Sequence, residues 1–494
     1  FGQNLYVDTR GAAGEPVPFT QAVINGLAQG GGLYVPEELP TLSLDEICAL
    51  ARLPYAQRAA AIYKAFNVDL PDEAIDELMG RAYGDNFDDE AICPITSLDE
   101  STHILELWHG PTSAFKDMAL QCLPHFFSAS AEKLREEGTL DHEFMILVAT
   151  SGDTGKAALA GYADLDGIEI EVFYPNDGTS EIQHLQMATQ KGENVQVYAV
   201  QGNFDDAQTG VKKVFADAAV AAELEKRGIR LSSANSINWG RLVPQIVYYF
   251  YAYFRLAEQG AVAWGKPVDF CVPTGNFGDI LAGYYAKQMG LPVGKLVCAS
   301  NKNNVLTDFL TTGTYDARRT FYKTTSPSMD ILISSNLERL LCHISGSSEK
   351  VAGWMQELNT TGKYTVDAET LEKIRETFAA GYADDAEGAA EIKARFDEDH
   401  YLCDTHTAVA FRVAETVRTE APMVVLSTAS PFKFPRDVLA ALGQQAPVSD
   451  FAAMAALTAK TGAEAPASLR ELDKQEVRFK TVLQPAEIRA AALK

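Results

Sequence analysis

Two kinds of apolar pattern alternate along the chain. From about residue 100 onward, short apolar, β-branched runs recur at 144–150, 169–175, 195–200, 269–272, 295–299 and 423–427. Each run is bounded by turn residues, and helical periodicity fills the intervals. Continuous apolar runs separated by helices predict a buried, largely parallel sheet, so the centre is α/β and in two lobes. Residues 1 to about 95 read as mostly helical, with turns at Gly30-Gly31-Gly32 and around Pro36 and Pro40. The stretch from about 345 to 400 is charged and helical without strand signals, which predicts a helical insertion. Beyond about 440, an Ala-rich stretch followed by VRFKTVLQP predicts an appended helix and strand. The expected organisation is an N-terminal domain over 1–98, a core over 99–440 whose smaller lobe spans about 130–255, and a C-terminal segment over 441–494.

Composition narrows the function classes. The 494 residues are 47% hydrophobic and 22% charged, the profile of a folded globular protein of about three domains. A net charge of −25 repels phosphate backbones and argues against a nucleic-acid partner. The seven cysteines are scattered with no CxxC pair, which speaks for a reducing compartment and against a zinc site. No HExxH occurs among the eight histidines, so no metal is expected. The aromatic run at 247–254 is too short to span a bilayer, and no basic-then-apolar leader precedes the chain. A cytoplasmic enzyme with a trimmed start at Phe1 is the expectation.

Four loops carry candidate chemistry. TSGDTGK at 150–156 and PTGNFGD at 273–279 each follow an apolar strand and open a helix. Glycine admits close approach, and first-turn N–H groups lack internal partners, so such junctions cradle anions. Either alone reads equally well as a helix cap. Neither fits a P-loop, since only two residues separate Gly152 from Gly155, and GxGxxG is absent from both. The third loop is HGPTSAFKD at 109–117, where Ser113 is a candidate N-cap and Lys116 falls in the first helical turn. The helix dipole there favours a neutral amine, which is a nucleophile able to form a Schiff base. The fourth, LSTASP at 426–431, puts hydroxyls at a strand's C-terminal end, where ligands of open α/β sheets bind. One imine, one phosphate, one ring nitrogen and one substrate carboxylate match this set, which points to pyridoxal 5'-phosphate. The competing reading is the SxxK, SxN and KTG set of penicillin-binding proteins, at Ser113/Lys116, Ser233/Asn235 and Lys460-Thr461-Gly462. It weakens because SxN and SxxK recur elsewhere and KTG lies in a helical stretch.

In collinear order the chain also carries GLAQGGGLYVPEELP, HGPTSAFKDMALQ, TSGDTGKAAL, GNFDDAQ, NSINWGRLVPQIVYYF, PTGNFGDILAGYYAK, CDTHTAVA and LSTASPFKFP, over residues 26–435. These stretches resemble the threonine synthases, of the longer bacterial and fungal type. The resemblance implies a two-lobed fold-type II architecture like that of the tryptophan synthase β chain. It implies that Lys116 forms the Schiff base and that Gly275, Asn276, Phe277 and Gly278 hold the cofactor phosphate, with Asp279 capping the helix. It further implies that Thr428 meets the pyridine nitrogen, that Ser151, Asp153 and Thr154 grip the substrate carboxylate, and that Ser236, Asn238 and Arg241, with Lys156, face the substrate phosphate. Many relatives place Asn at 153 against the cofactor's ring oxygen, where an aspartate must be protonated or turned away. The implied activity is that of a carbon–oxygen lyase acting on O-phospho-L-homoserine and water to give L-threonine and phosphate. The alternative is a phospho-amino-acid phospholyase or a serine/threonine dehydratase, and a monomer is expected.

Overall fold

The computed structural model describes residues 3–177 and 179–494. The N-terminal part is less helical than the periodicity predicts. Four helices, Phe19–Asn25, Leu44–Ala51, Tyr55–Ala65 and Asp72–Ala82, accompany three short antiparallel strands. These are β1 (Leu5–Asp8), β2 (Val17–Pro18) and β3 (Tyr34–Pro36), with β1 in the middle. In β1 only Tyr6 and Asp8 turn inward. Two inward positions are too few for a period of two to stand out in sequence.

The chain then enters a six-stranded sheet with β4 (Ile95–Ser97) and β5 (Thr102–Glu106), which pair antiparallel. It leaves to build an all-parallel sheet from β6 (Glu143–Ala149), β7 (Ile168–Pro175), β8 (Val195–Val200) and β9 (Ile229–Ser232). It returns through β10 (Val268–Pro273) and β11 (Val293–Ser300). A small ladder of β12 (Thr314–Asp316) and β13 (Lys363–Thr365) follows, then β14 (Phe378–Tyr382) and β15 (Met423–Ser427). The six-stranded order is β14-β11-β10-β15-β5-β4. β16 (Val482–Leu483) closes the edge of the smaller sheet, which runs β16-β8-β7-β6-β9.

The segment expected as a purely helical insertion therefore needs correction. It holds β13 and also β14, which pairs in parallel with β11 as the edge of the larger sheet. FAAGY is poor in β-branched residues. It becomes a strand because β11 offers it a ladder rather than by local propensity. The helix Trp239–Glu258 is buried nearly all round, including Tyr248, Tyr249 and Tyr253. A helix apolar on every face belongs inside the core, and the aromatic run at 247–254 is its centre. No helix among the described residues is long and apolar enough to cross a membrane. The four candidate loops all leave C-terminal ends of parallel strands, those of β5, β6, β10 and β15, which is where open α/β sheets bind ligands.

Candidate functional site

Lys116 is presented by a loop laced to the end of β15. The Phe115 N–H donates to the Thr428 carbonyl at 2.8 Å, the Ser430 N–H donates to the Ser113 carbonyl at 3.1 Å, and Ala114 bridges Ala429 between them. Ser113 is not the helix cap expected from sequence. It sits at φ 64° with its hydroxyl unpartnered, and the helix is a single turn, Asp117–Leu120. Asp117 closes the loop from inside, accepting from the Thr112 N–H at 2.9 Å and the Thr112 hydroxyl at 2.7 Å. Burial pushes the Asp117 carboxyl up to about 6, against those bonds.

The Lys116 side chain opens onto a small cavity that Asp153, Ser328, His406 and Thr428 also line. Protein otherwise surrounds the amine, and this desolvation lowers it to about 8. Asp153 opposes the shift while Arg241 and Lys433 reinforce it. The cause is burial and neighbouring cations, rather than the helix dipole argued from sequence. An amine in this range has a neutral fraction of about a fifth near physiological pH, against about a thousandth for an ordinary lysine, which is what a nucleophile or base needs.

Asp153 opens the helix Asp153–Tyr162, whose start is held by Thr150. The Thr150 hydroxyl accepts from the N–H groups of Gly152 at 3.0 Å and Gly155 at 2.9 Å. Burial alone would raise the Asp153 carboxyl. The ammonium of Lys433, 2.6 Å from Oδ1, outweighs it, and with Lys116 and the Gln183 amide it holds Asp153 well below the usual carboxylate range. Asp153 is therefore ionised and paired with a cation, while still lining the cavity of Lys116. Removing one partner of such a buried pair costs about 3–5 kcal/mol, because the other charge is stranded. Ser151, at the mouth of the same loop, is exposed and Thr154 is half-buried.

The glycine loop after β10 does not itself line that cavity; it packs against Ser328, which does. A Cβ on Gly275 would lie 2.7 Å from the Ser328 backbone oxygen, so only glycine fits there. Phe277 takes φ 74° at the N-cap of the helix Gly278–Gln288, and Asn276 precedes it in the turn. Asp279 does not cap this helix as expected. It is buried and accepts from the hydroxyls of Tyr248 and Tyr249. Burial raises it to about 7 against those two bonds.

Of the residues expected at a substrate phosphate, Arg241 is buried beside Lys116. Its Nη1 donates to the Ala234 carbonyl at 3.1 Å, and its Nε has no partner among the described residues. Burial lowers Arg241 to about 10. Lys156 donates to Gln190 Oε1 at 2.5 Å and is likewise lowered to about 8 by burial. Asn238 stands differently. Its Oδ1 accepts from the Gly240 N–H and its Nδ2 donates to the Val23 carbonyl, so both side-chain atoms already serve helix capping and docking of the N-terminal part. Ser236 lies half-buried beside Ser335.

Four residues at the site were missed from sequence. Lys433 is one, signalled only by a lone charge between Phe432 and Phe434. His406 is another. The Ser328 N–H donates to its Nε2 at 3.2 Å, so Nδ1 carries the proton and donates to Asp404 at 2.7 Å. Ser328 is the third. Asn336 is the fourth. Its N–H donates to the Asn276 carbonyl at 2.9 Å and its Nδ2 to the Ser236 carbonyl at 3.1 Å, tying the glycine loop to the Ser236 segment.

Comparison with known proteins gives three matching family models: "Threonine synthase N terminus" over residues 5–83, "Pyridoxal-phosphate dependent enzyme" over 100–428, and "Threonine synthase, C-terminal" over 407–491. Human threonine synthase-like 1 is 42% identical over 439 residues. That match covers 86% of this chain and 58% of the human protein, so the chain spans little more than half of that relative. The threonine synthase of Pseudomonas aeruginosa is 40% identical, with 90% of this chain and 91% of the relative covered. A crystal structure of pyridoxal-phosphate-bound threonine synthase from Brucella melitensis superposes with a TM-score of 0.89 at 39% identity, covering 99% of both chains.

Proposed function

The chain belongs to the threonine synthase family of pyridoxal-phosphate-dependent enzymes, and we propose that it converts O-phospho-L-homoserine and water to L-threonine and phosphate. The observation that carries this reading is the Lys116 amine, lowered to about 8 in a cavity it shares with Thr428 and Asp153. The donor set suits pyridoxal phosphate: a nucleophilic amine, a glycine junction with free first-turn N–H groups for a phosphate, and the Thr428 hydroxyl for a ring nitrogen. That cofactor supplies an electron sink when bound, and the protein supplies position and protons.

Each residue then has a task. Gly275, Asn276, Phe277 and Gly278 bind the cofactor phosphate through backbone N–H groups. Ser151 and Thr154 orient the substrate carboxylate at the first turn of the helix Asp153–Tyr162. Lys116 removes the Cα proton and then a Cβ proton. Arg241, with Lys156 and Ser236, takes up the charge of the phosphate as it leaves Cγ, the guanidinium fork matching phosphate oxygens. Of the two protons taken, one goes to Cγ and one returns to Cα, while water supplies the hydroxyl at Cβ and its proton leaves on the phosphate.

An absorbance spectrum of the purified protein, followed by addition of O-phospho-L-homoserine, tests this. A visible imine band with phosphate and threonine released in equal amounts is expected, and Lys116→Ala loses that band. Phosphate accompanied by a keto acid without threonine overturns the reading in favour of a phospholyase.

A further inference from the structure

Lys433 is wholly buried, and its ammonium has two acceptors within the protein. It bonds Asp153 Oδ1 at 2.6 Å and the Thr112 carbonyl at 3.0 Å. Thr112 is the residue that Asp117 pins in the Lys116 loop, and Asp153 opens the helix on the other side of the cavity. One ammonium thus joins the two loops between which Lys116 projects. It also sets the local charge. An unneutralised carboxylate at 153 would favour the ammonium form of Lys116 and withhold its lone pair.

We propose that Lys433 is a positioning residue: its ion pair with Asp153 fixes and neutralises that carboxylate, leaving the Lys116 amine free to react. The inference rests on Lys116 being the cofactor lysine, which the Lys116→Ala spectrum decides separately. The charged groups facing Lys116 from the elements around it are Asp153, Arg241 and Lys433, with His406 lining the same cavity. His406 is held by Asp404 and by the Ser328 N–H, and Asp117, next in the chain, faces Thr112.

The test needs no turnover. Full-length protein freed of cofactor is labelled with trace acetic anhydride from about pH 6 to about pH 10, and the Lys116 peptide is quantified by mass spectrometry. The wild type half-labels near pH 8. Lys433→Met raises that midpoint by about one pH unit, a roughly fivefold loss of label at pH 8, whereas Lys433→Arg restores the wild-type profile. Asp153→Asn moves the midpoint the other way by a similar amount, and the Lys433→Met/Asp153→Asn double variant returns close to wild type. If Lys433→Met does not fold, Asp153→Asn and the double variant decide. An unmoved midpoint in Asp153→Asn, or in a folded Lys433→Met, overturns the proposal.

Discussion

The Tyr249 hydroxyl donates to the backbone oxygen of Asp279 at 2.7 Å, and this bond ties the start of the helix Gly278–Gln288 to the helix through the core. The Asp279 side chain is held by the neighbouring Tyr248 and is raised to about 7, chiefly by burial. Above that pH a negative charge develops behind the loop proposed to receive the cofactor phosphate. Lys116 deprotonation raises pyridoxal phosphate affinity over the same range, so the Asp279 charge is read as a ratio: wild-type affinity relative to Asp279→Asn is expected to fall about three- to tenfold between pH 6 and pH 8. Asp279→Asn keeps the acceptor and loses the charge, so its affinity follows Lys116 deprotonation alone. Absorbance titration at several pH values measures both, and an equally steep profile in the variant refutes the assignment.

Gly275→Ala tests the cradle by sterics alone. The new Cβ meets the Ser328 backbone oxygen at 2.7 Å, and backbone cannot swing aside as a side-chain tip does. The displaced loop should lose at least about tenfold in cofactor affinity, while far-ultraviolet circular dichroism stays unchanged. Wild-type affinity in this variant would contradict a phosphate at this junction.

Arg241→Lys separates substrate phosphate binding from cofactor binding. No carboxylate pairs with Arg241 among the described residues, and its Nε is unspent. Lysine keeps a charge but loses the fork, so KM for O-phospho-L-homoserine should rise about tenfold or more while the visible band persists. A variant with unchanged KM would move the substrate phosphate elsewhere.

Glu171 gives a stability prediction away from the site. Its Oε2 lacks a partner among the described residues, in the middle of the smaller sheet, and burial, with Glu169 adding to it, raises the carboxyl to about 8. Because the folded state holds this proton more tightly than the unfolded state, the stability Glu171 contributes is present below about pH 4.5. It is lost as pH rises through about 8. Glu171→Gln should therefore raise the melting temperature at pH 9, by about 2 kcal/mol or more in stability, and change little at pH 4. Equal melting of both proteins at pH 9 would count against a buried, protonated Glu171.

The chemistry-bearing loops were legible because their signals are local. A strand run, a glycine turn and a helix start sit within a dozen residues at both 150–156 and 273–279. The partners that tune them were not, because they arrive from far along the chain. Lys433 meets Asp153 across 280 positions of sequence, and nothing beside either residue announces the other. Asp279 looked like a helix cap because aspartate at a helix start usually is one. Its true partners, Tyr248 and Tyr249, come from a different helix. Ser113 was misread for a simpler reason: an N-cap takes extended backbone, and this serine is left-handed. Strand β14 escaped notice because its five residues have little strand propensity of their own.

Strand β16 completes the smaller sheet with only two residues, Val482 and Leu483, laid beside Ala199 and Val200 of β8. Almost the whole second half of the polypeptide is made between those partners. At about 5–20 residues per second, a ribosome leaves β8 as an open edge for some tens of seconds. An open parallel edge is a template for pairing with another nascent chain. The segment that ends that exposure is made long after β8, so release of the chain before Val482 would yield a protein that already contains every residue of the candidate site but whose sheet stays adhesive.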